Sequence, residues 1–166
     1  MDEGEPRWLT GEERQAWLSW IAATTLLEAA LDRQLQRESG MPMAYYQILV
    51  MLSAEPERTL RMGELAERTQ SSHSRLSHAV ARLEDRGWIR RTSCPGDRRR
   101  TFATLTDEGF AALAAAAPGH VAEVRQYLFD RISCEQVRQL TAITDEIRAG
   151  LSTEFPDPTR GTRESA

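Results

Sequence analysis

The chain has 166 residues, 40% of them hydrophobic, and a formal net charge of −4 at pH 7. A chain of this length is expected to form one domain, or one domain with a dimerising extension, around a modest apolar core. Its apolar runs are too short to span a bilayer, and its first five residues, MDEGE, are acidic. We therefore expect no membrane partner, no signal peptide and a cytoplasmic location.

The charge is distributed unevenly along the chain. Between Arg68 and Arg100, nine arginines stand against three acidic residues, a net charge of +6. The remainder has twelve arginines and twenty-two acidic residues, a net charge of −10. A basic segment on an acidic body is typical of a protein that binds a polyanion.

A long amphipathic helix is predicted first. Thr10 and Glu13 have the spacing of a capping box, and Gly40 can end the helix. About 28 residues would extend about 42 Å, which exceeds the needs of a small core. Part of the apolar stripe is therefore expected to contact a second chain. The stripe comprises Trp17, Trp20, Ile21, Thr24, Leu27, Leu31 and Leu35.

The centre of the chain has the element order of a helix-turn-helix followed by a hairpin. Helices are predicted over residues 43–52 and 62–68, separated by a turn over 54–58. After a polar break, Ser72 caps a helix that Gly87 ends, with Leu76, Ala79, Val80 and Leu83 on one side. Strands over 88–92 and 101–105 then flank a loop over 93–97 that contains a Pro-Gly pair.

Two more helices are predicted after the hairpin. Thr106 caps the first, and Pro118 is expected to kink or break it before it resumes over 121–132. Ser133 and Gln136 form a capping box for the last helix, and residues 152–166 have the composition of a disordered tail. The predicted fold is mainly α with a small β-hairpin wing. Residues 41–106 would form the winged helix-turn-helix, with helical dimerisation regions over 1–40 and 107–151.

The helix from Ser72 carries the chemistry of DNA recognition. In a helix-turn-helix the second helix enters the major groove with its N-terminal residues against the base edges. Arg75 is the best candidate for a bidentate contact to guanine, worth about 1–3 kcal/mol of discrimination. An ordinary solvated helix face is the alternative. The candidate contact residues are Ser72, His73, Ser74, Arg75, Ser77, His78 and Arg82.

The hairpin tip favours DNA binding over that alternative. Asp97, Arg98, Arg99 and Arg100 follow one another there, and three adjacent cations repel one another unless a polyanion neutralises them. A narrow minor groove suits an arginine on a projecting loop, and Asp97 can orient a neighbouring guanidinium. A tip that serves only solubility is the other interpretation.

Other kinds of site have little support. Cys94 and Cys134 lack a metal-binding or thioredoxin-like spacing, and the simplest interpretation is a loop thiol and a helix-start residue. A redox sensor is the alternative, because arginines around Cys94 would favour a reactive thiolate. His73, His78 and His120 form no metal pattern. The sequence has no phosphate loop and no outstanding nucleophile–base pair, so we expect no enzyme, cofactor or metal.

Four short motifs resemble the MarR family of transcriptional regulators. They occur in order at the family's spacing, and the resemblance covers residues 43–109. The motifs are ELAER at 64–68, LEDRGWIRR at 83–91, PGDRR at 95–99 and LTDEG at 105–109.

The resemblance implies a homodimer whose terminal helices interlock and whose two winged lobes bind double-stranded DNA at a palindromic operator. It also implies that a small ligand often releases the DNA. Asp97 and Arg99 match the aspartate and groove-inserting arginine of the wing, and residues 72–78 match the reading end of the recognition helix. We therefore expect a DNA-binding transcriptional regulator that represses its targets. The alternatives are a winged helix that binds protein and a regulator without a ligand.

Two positions depart from the family pattern. Arg61 stands where a serine or threonine cap is usual, and Gln70 stands where the turn usually has glycine. Each departure is expected to cost about 1 kcal/mol without removing a DNA contact. The peroxide-sensing branch has a reactive cysteine near its N-terminal helices. This chain has none before Cys94, so thiol sensing by that route is not expected.

A ligand pocket is predicted from aromatic residues. Trp17, Trp20, Tyr45 and Tyr46 would line it, between the dimer helices and the winged lobe, where such regulators tend to bind phenolic compounds. The partner implied is a small aromatic effector, with aromatic acids as the first candidates. Ordinary core or dimer contacts are the alternative for the tryptophans.

Overall fold

The structure is a computed structural model that describes residues 6–94 and 97–151, and at Cys94 and residues 97–100 it describes the backbone alone. The predicted disorder of residues 152–166 lies outside the described residues. The described residues form six α-helices and a three-stranded antiparallel sheet, which confirms the predicted fold class. The helices are α1 Gly11–Ser39, α2 Met43–Ser53, α3 Met62–Arg68, α4 His73–Asp85, α5 Asp107–Tyr127 and α6 Cys134–Leu151. The strands are β1 Thr59–Arg61, β2 Ile89–Cys94 and β3 Asp97–Leu105.

The caps predicted for the first helix are present. The Glu13 backbone N–H donates to Thr10 Oγ1 at 3.2 Å, and the Thr10 N–H donates to Glu13 Oε2 at 2.7 Å. Gly40 ends the helix with a φ of 58°, in the left-handed region that glycine adopts readily. α1 therefore has 29 residues and extends about 44 Å.

One apolar core joins the winged lobe to the C-terminal half of α1. Leu35, Leu49, Leu65, Leu83 and Ile89 are all essentially inaccessible to solvent. They come from α1, α2, α3, α4 and β2, so the core fixes the helix-turn-helix and the base of the sheet as one unit. Among the helices that the structure describes, none meets the length and hydropathy needed to cross a membrane.

The sheet differs from the predicted hairpin in two ways. A third strand, β1, pairs with β3, with Leu60 opposite Ala103. Three residues are too few to show an alternating pattern, so the sequence did not reveal this strand. In addition, β2 reaches Cys94 and β3 begins at Asp97, with Cys94 paired to Asp97. The prediction of a loop at these two positions and at residue 93 was wrong, and the Pro-Gly pair at 95–96 lies outside the described residues.

No break occurs at Pro118, so the predicted break of the helix there was wrong. α5 runs without a break from Asp107 to Tyr127, and residues 129–131 form a separate turn of 3-10 helix. A proline removes only its own N–H from the helix ladder. Packing against α1 compensates, because Gly119 lies against the side chains of Gln34 and Glu38. The predicted capping box of the last helix is present between Ser133 and Gln136.

Candidate nucleic-acid interface

The helix-turn-helix orients α4 with its N-terminus free. Ser72 caps α4, and its Oγ accepts the backbone N–H of Arg75 at 3.3 Å. The turn before it includes Gln70, whose φ of 48° lies in the left-handed region. The expected strain of a non-glycine residue in this turn is therefore present. Arg61 makes no side-chain cap to α3, as its residue type predicts.

One face of α4 is anchored and the opposite face is open. Leu76, Val80 and Leu83 are at most 2% exposed and hold the helix in the core. Every predicted contact residue lies on the exposed part of the helix or its cap, namely Ser72, His73, Ser74, Arg75, Ser77, His78 and Arg82. This separation of apolar and polar faces agrees with the sequence pattern.

The two arginines of the open face have no internal partner. Within residues 6–94 and 97–151, neither the Arg75 nor the Arg82 guanidinium makes an ion pair or a hydrogen bond. Arg75 lies in the first turn of α4, where the helix dipole and the free backbone N–H groups also favour an anion. This surface can therefore bind phosphates and the acceptor atoms of base edges.

A clamp that the sequence reasoning missed joins α4 to the wing. Glu84 Oε1 accepts the backbone N–H of Arg91 at 3.0 Å, and Glu84 Oε2 accepts the Arg91 Nε–H at 2.7 Å. The hydrogen bonds from the Arg91 side chain and backbone hold the pKa of the Glu84 carboxyl below its usual value. Glu84 lies in α4 and Arg91 lies in β2, so helical or strand periodicity does not relate them. Their opposite charge was the only feature of the sequence that could have indicated this contact.

Thr106 closes the base of the wing. Its N–H donates to the Trp88 carbonyl at 3.0 Å, and its hydroxyl donates to the Gly87 carbonyl at 2.7 Å. The same oxygen accepts the Gly109 N–H at 3.0 Å, so Thr106 also caps α5 as predicted. The backbone and side chain of this one residue thus fix the end of α4, the start of β2 and the start of α5 relative to one another.

Arg86 ties this base to the first helix. Its guanidinium lies 4.9 Å from the centre of the Trp88 ring and 5.8 Å from that of Tyr45. It also donates to the Gly40 carbonyl at 3.1 Å. The hydrogen bond to Gly40 links the base of the wing to the end of α1, and the cation–π contacts hold the Arg86 guanidinium against Tyr45 of α2 and Trp88.

The basic residues predicted at the tip of the wing stand in β3. The backbone of Asp97, Arg98, Arg99 and Arg100 continues the strand that enters the core at Ala103. Their side chains lie outside the described residues, so their DNA contacts stay predictions. Asp97 pairs with Cys94 and Thr101 pairs with Ser93, and the register shifts between these two pairs, where Arg98, Arg99 and Arg100 stand.

Of the four predicted aromatic residues, one lines the cavity that the described residues form, and three lie elsewhere. A cavity of 1110 Å³ lies between α1, α2, α5 and the turn before α4, and Tyr46 lines it. Tyr45 lies instead by Arg86, and Trp17 and Trp20 are 54% and 42% exposed on α1. The lining residues include Glu28, Leu31, Asp32, Met43, Val50, Met51, Arg68, Thr69, Gln70 and His120.

Two titratable rings meet in this cavity. Tyr46 and His120 have ring centroids 4.5 Å apart. Burial raises the pKa of the Tyr46 hydroxyl and lowers the pKa of the His120 imidazole. Both rings are therefore uncharged near neutral pH.

Candidate sites of other kinds are sparse. In the described ranges, no group of three His, Cys, Asp or Glu residues could hold a metal ion. Cys134 is a free, exposed thiol at the start of α6, as the sequence predicts. Cys94 belongs to β2, and its redox role stays a prediction.

A helix-turn-helix with an open basic recognition helix and an antiparallel wing defines the winged helix-turn-helix class of DNA-binding proteins. A family model described as MarR family matches residues 39–100. The chain is also 54% identical to Sco3205 from Streptomyces coelicolor, a MarR family transcriptional regulator solved in complex with DNA. That match has a TM-score of 0.83 and covers 94% of this chain and 98% of Sco3205. The chain belongs to the MarR family of transcriptional regulators.

Two curated relatives support the assignment of the chain to a family of transcriptional regulators. The chain is 39% identical to the transcriptional regulator HosA of Escherichia coli O111:H-, over 43% of this chain and 53% of HosA, about half of that relative's length. It is 30% identical to the HTH-type transcriptional repressor MdtR of Bacillus subtilis, over 65% of this chain and 69% of MdtR. These relatives are regulators and not enzymes.

Proposed function

We propose that this protein is a homodimeric, sequence-specific regulator that inserts two α4 helices into successive major grooves of a palindromic operator. The observation that carries the proposal is the open face of α4, where Arg75 and Arg82 are exposed and have no ion pair or side-chain hydrogen bond within the described residues 6–94 and 97–151. The Glu84–Arg91 clamp holds this face at a fixed angle to the wing. Arg98, Arg99 and Arg100 would then enter or flank the neighbouring minor groove.

Dimerisation is supported by apolar surface that one chain leaves uncovered. Residues 11–23 of α1 are all exposed, and α6 has no buried residue. Helices of this kind are marginal in water unless a partner covers their apolar face. A second copy of residues 1–40 and 107–151 fits that role, and residues 41–106 form the DNA-binding part. The exposed apolar residues include Trp17, Leu18, Trp20, Ile21, Val121, Tyr127, Ile143, Ile147 and Leu151.

Repression and ligand release complete the proposal. The similarity to MdtR, which is named a repressor, supports repression, and a dimer on the operator would exclude other proteins from it. The cavity supports ligand control, because Thr69 and Gln70 line it and directly precede the Ser71–Ser72 start of α4. A ligand there would shift DNA affinity through the turn. Such coupling is typically worth about 1–3 kcal/mol.

Selection of bound DNA from a random pool tests the operator. We expect an inverted repeat whose half-sites are about one helical turn, roughly 34–36 Å, apart. Arg75→Ala should lose about 1–3 kcal/mol of discrimination at one base pair of each half-site. Arg99→Ala should weaken binding to the whole operator. Arg33→Ala, an exposed arginine of α1, is the matched control and should bind as the native protein does.

The outcomes separate the alternatives. Selection without any enriched sequence would contradict operator recognition and favour a winged helix that binds protein. Equal discrimination by the Arg75→Ala and Arg33→Ala variants would refute the assigned role of α4. Gel filtration at micromolar concentration should give a dimer, and Ile143→Glu should shift it toward monomer. A native protein that elutes as a clean monomer would contradict the interlocked helices.

A further inference from the structure

The cavity beneath the helix-turn-helix has an acidic rim. Glu28 and Asp32 line it from α1, four residues apart and so on the same face of that helix. Asp32 Oδ1 accepts the Met43 N–H at 2.8 Å, and its other oxygen accepts from the Gln36 amide. In the part of the chain that the structure describes, neither carboxylate has an arginine partner.

The cavity's own basic groups do not offset these two charges. Arg68 contacts Glu55 and Glu64, with both N–O distances 2.6 Å, and its side chain is only 10% exposed. Its positive charge is therefore paired with the carboxylates of these two acidic residues. His120 also lines the cavity and is uncharged near neutral pH, because burial lowers its pKa. Two carboxylates and one guanidinium line the cavity, and that guanidinium contacts two acidic residues outside the lining, so the lining has a net negative charge.

The remaining wall suits an apolar, polarisable molecule. Leu31, Met43, Val50 and Met51 supply aliphatic and thioether surface, and Tyr46 presents an aromatic ring. Methionines adapt to irregular ligands, and an aromatic face attracts a cation. The volume of 1110 Å³ is ample for a drug-sized ligand, since such sites usually span about 300–1,000 Å³.

We propose that this cavity binds an organic cation with an aromatic or branched apolar body. Glu28 and Asp32 would face the positive charge while Met43, Met51 and Tyr46 cover the apolar body. An aromatic acid would bring a third negative charge beside Glu28 and Asp32 and find no unpaired cation, so it is excluded as the preferred class. The assignment rests on the ligand site of the proposed function, but it does not require DNA binding.

Two probes of nearly equal size and shape but opposite charge test the assignment. Isothermal titration of the full chain without DNA would compare the tetraphenylphosphonium cation with the tetraphenylborate anion at 0.15 M salt. We expect saturable binding of the cation, at one site per chain, with at least about tenfold higher affinity than for the anion. Glu28→Gln should weaken cation binding by at least about threefold.

Two further variants control the measurement. Asp32→Asn keeps an oxygen for the Met43 N–H and should also weaken cation binding. Glu12→Gln removes an exposed carboxylate from the first turn of the same helix, about 24 Å away, and should change nothing. Circular dichroism of each variant would confirm that it is folded.

The result separates this inference from the proposed function. Absence of cation binding, equal affinity for both probes, or unchanged affinity in Glu28→Gln and Asp32→Asn would overturn the inference even if operator binding is intact. Cation binding that the two variants weaken would support it even if no operator is selected, and the proposed function alone would then fail.

Discussion

Gly109 is the position where one added methyl group should most directly disturb the packing of α5 against the base of the wing. A Cβ at this residue would lie 2.1 Å from the Trp88 carbonyl oxygen and 2.7 Å from Leu105 Cδ1. The carbonyl cannot easily withdraw, because it accepts the Thr106 N–H at 3.0 Å. Gly109→Ala must therefore displace the base of the wing or the start of α5.

The magnitude follows from two opposing effects. Overpacking usually costs about 1–3 kcal/mol, and a backbone obstacle places this site at the upper end. The better helix propensity of alanine returns about 0.5–1 kcal/mol. We expect a net loss of about 2–2.5 kcal/mol in the free energy of unfolding. DNA affinity should fall as well, since Trp88 directly precedes β2.

Urea unfolding followed by circular dichroism, at one fixed protomer concentration, measures this loss. Gly63→Ala is the matched control, because it lies in α3 and its Cβ would meet no atom within 4 Å. That variant should be equally stable or gain about 0.4–1 kcal/mol. An unchanged urea midpoint for Gly109→Ala, or an equal loss in Gly63→Ala, would refute the close approach at Trp88.

Two further predictions concern charge. Glu84→Gln removes the ion pair with Arg91 and should cost about 0.5–1 kcal/mol of stability, because both side chains are about one-third exposed. It should also lower operator affinity in a gel-shift assay, and unaltered affinity would show that the clamp does not position the wing. Because the pKa of Glu84 is lowered in the folded protein, its contribution is present above the ordinary value of 4.5 and is lost as the pH falls through the folded pKa. His120 acts in the same direction, but in a higher pH window. Its folded pKa lies below 6.5, so the unfolded chain gains the proton first and stability falls as the pH drops below 6.5. Urea midpoints at pH 7.5 and 5.5 should differ less in His120→Gln than in the native protein, and an equal difference would contradict this assignment.

The sequence alone determined the features that depend on near neighbours. Thr10, Ser72 and Thr106 each cap the helix that follows, because capping joins residues three positions apart. The division of α4 into an apolar and a basic face follows from the 3.6-residue period. The motif spacing identified the family for the same reason, since the helix-turn-helix and wing are consecutive elements.

The tertiary structure decided what depends on residues far apart in the chain. β1 exists because β3, more than forty residues later, pairs with it, and α5 continues through Pro118 in contact with α1. The cavity is another such feature, since its lining extends from residue 25 to residue 120. Aromatic residues in the sequence indicated a pocket, but only packing determines which side chains share a surface and which charges remain unbalanced there. The sequence therefore determined the polar face of α4 that we propose reads DNA, and the tertiary contacts determined how that helix is held and which side chains line the cavity behind it.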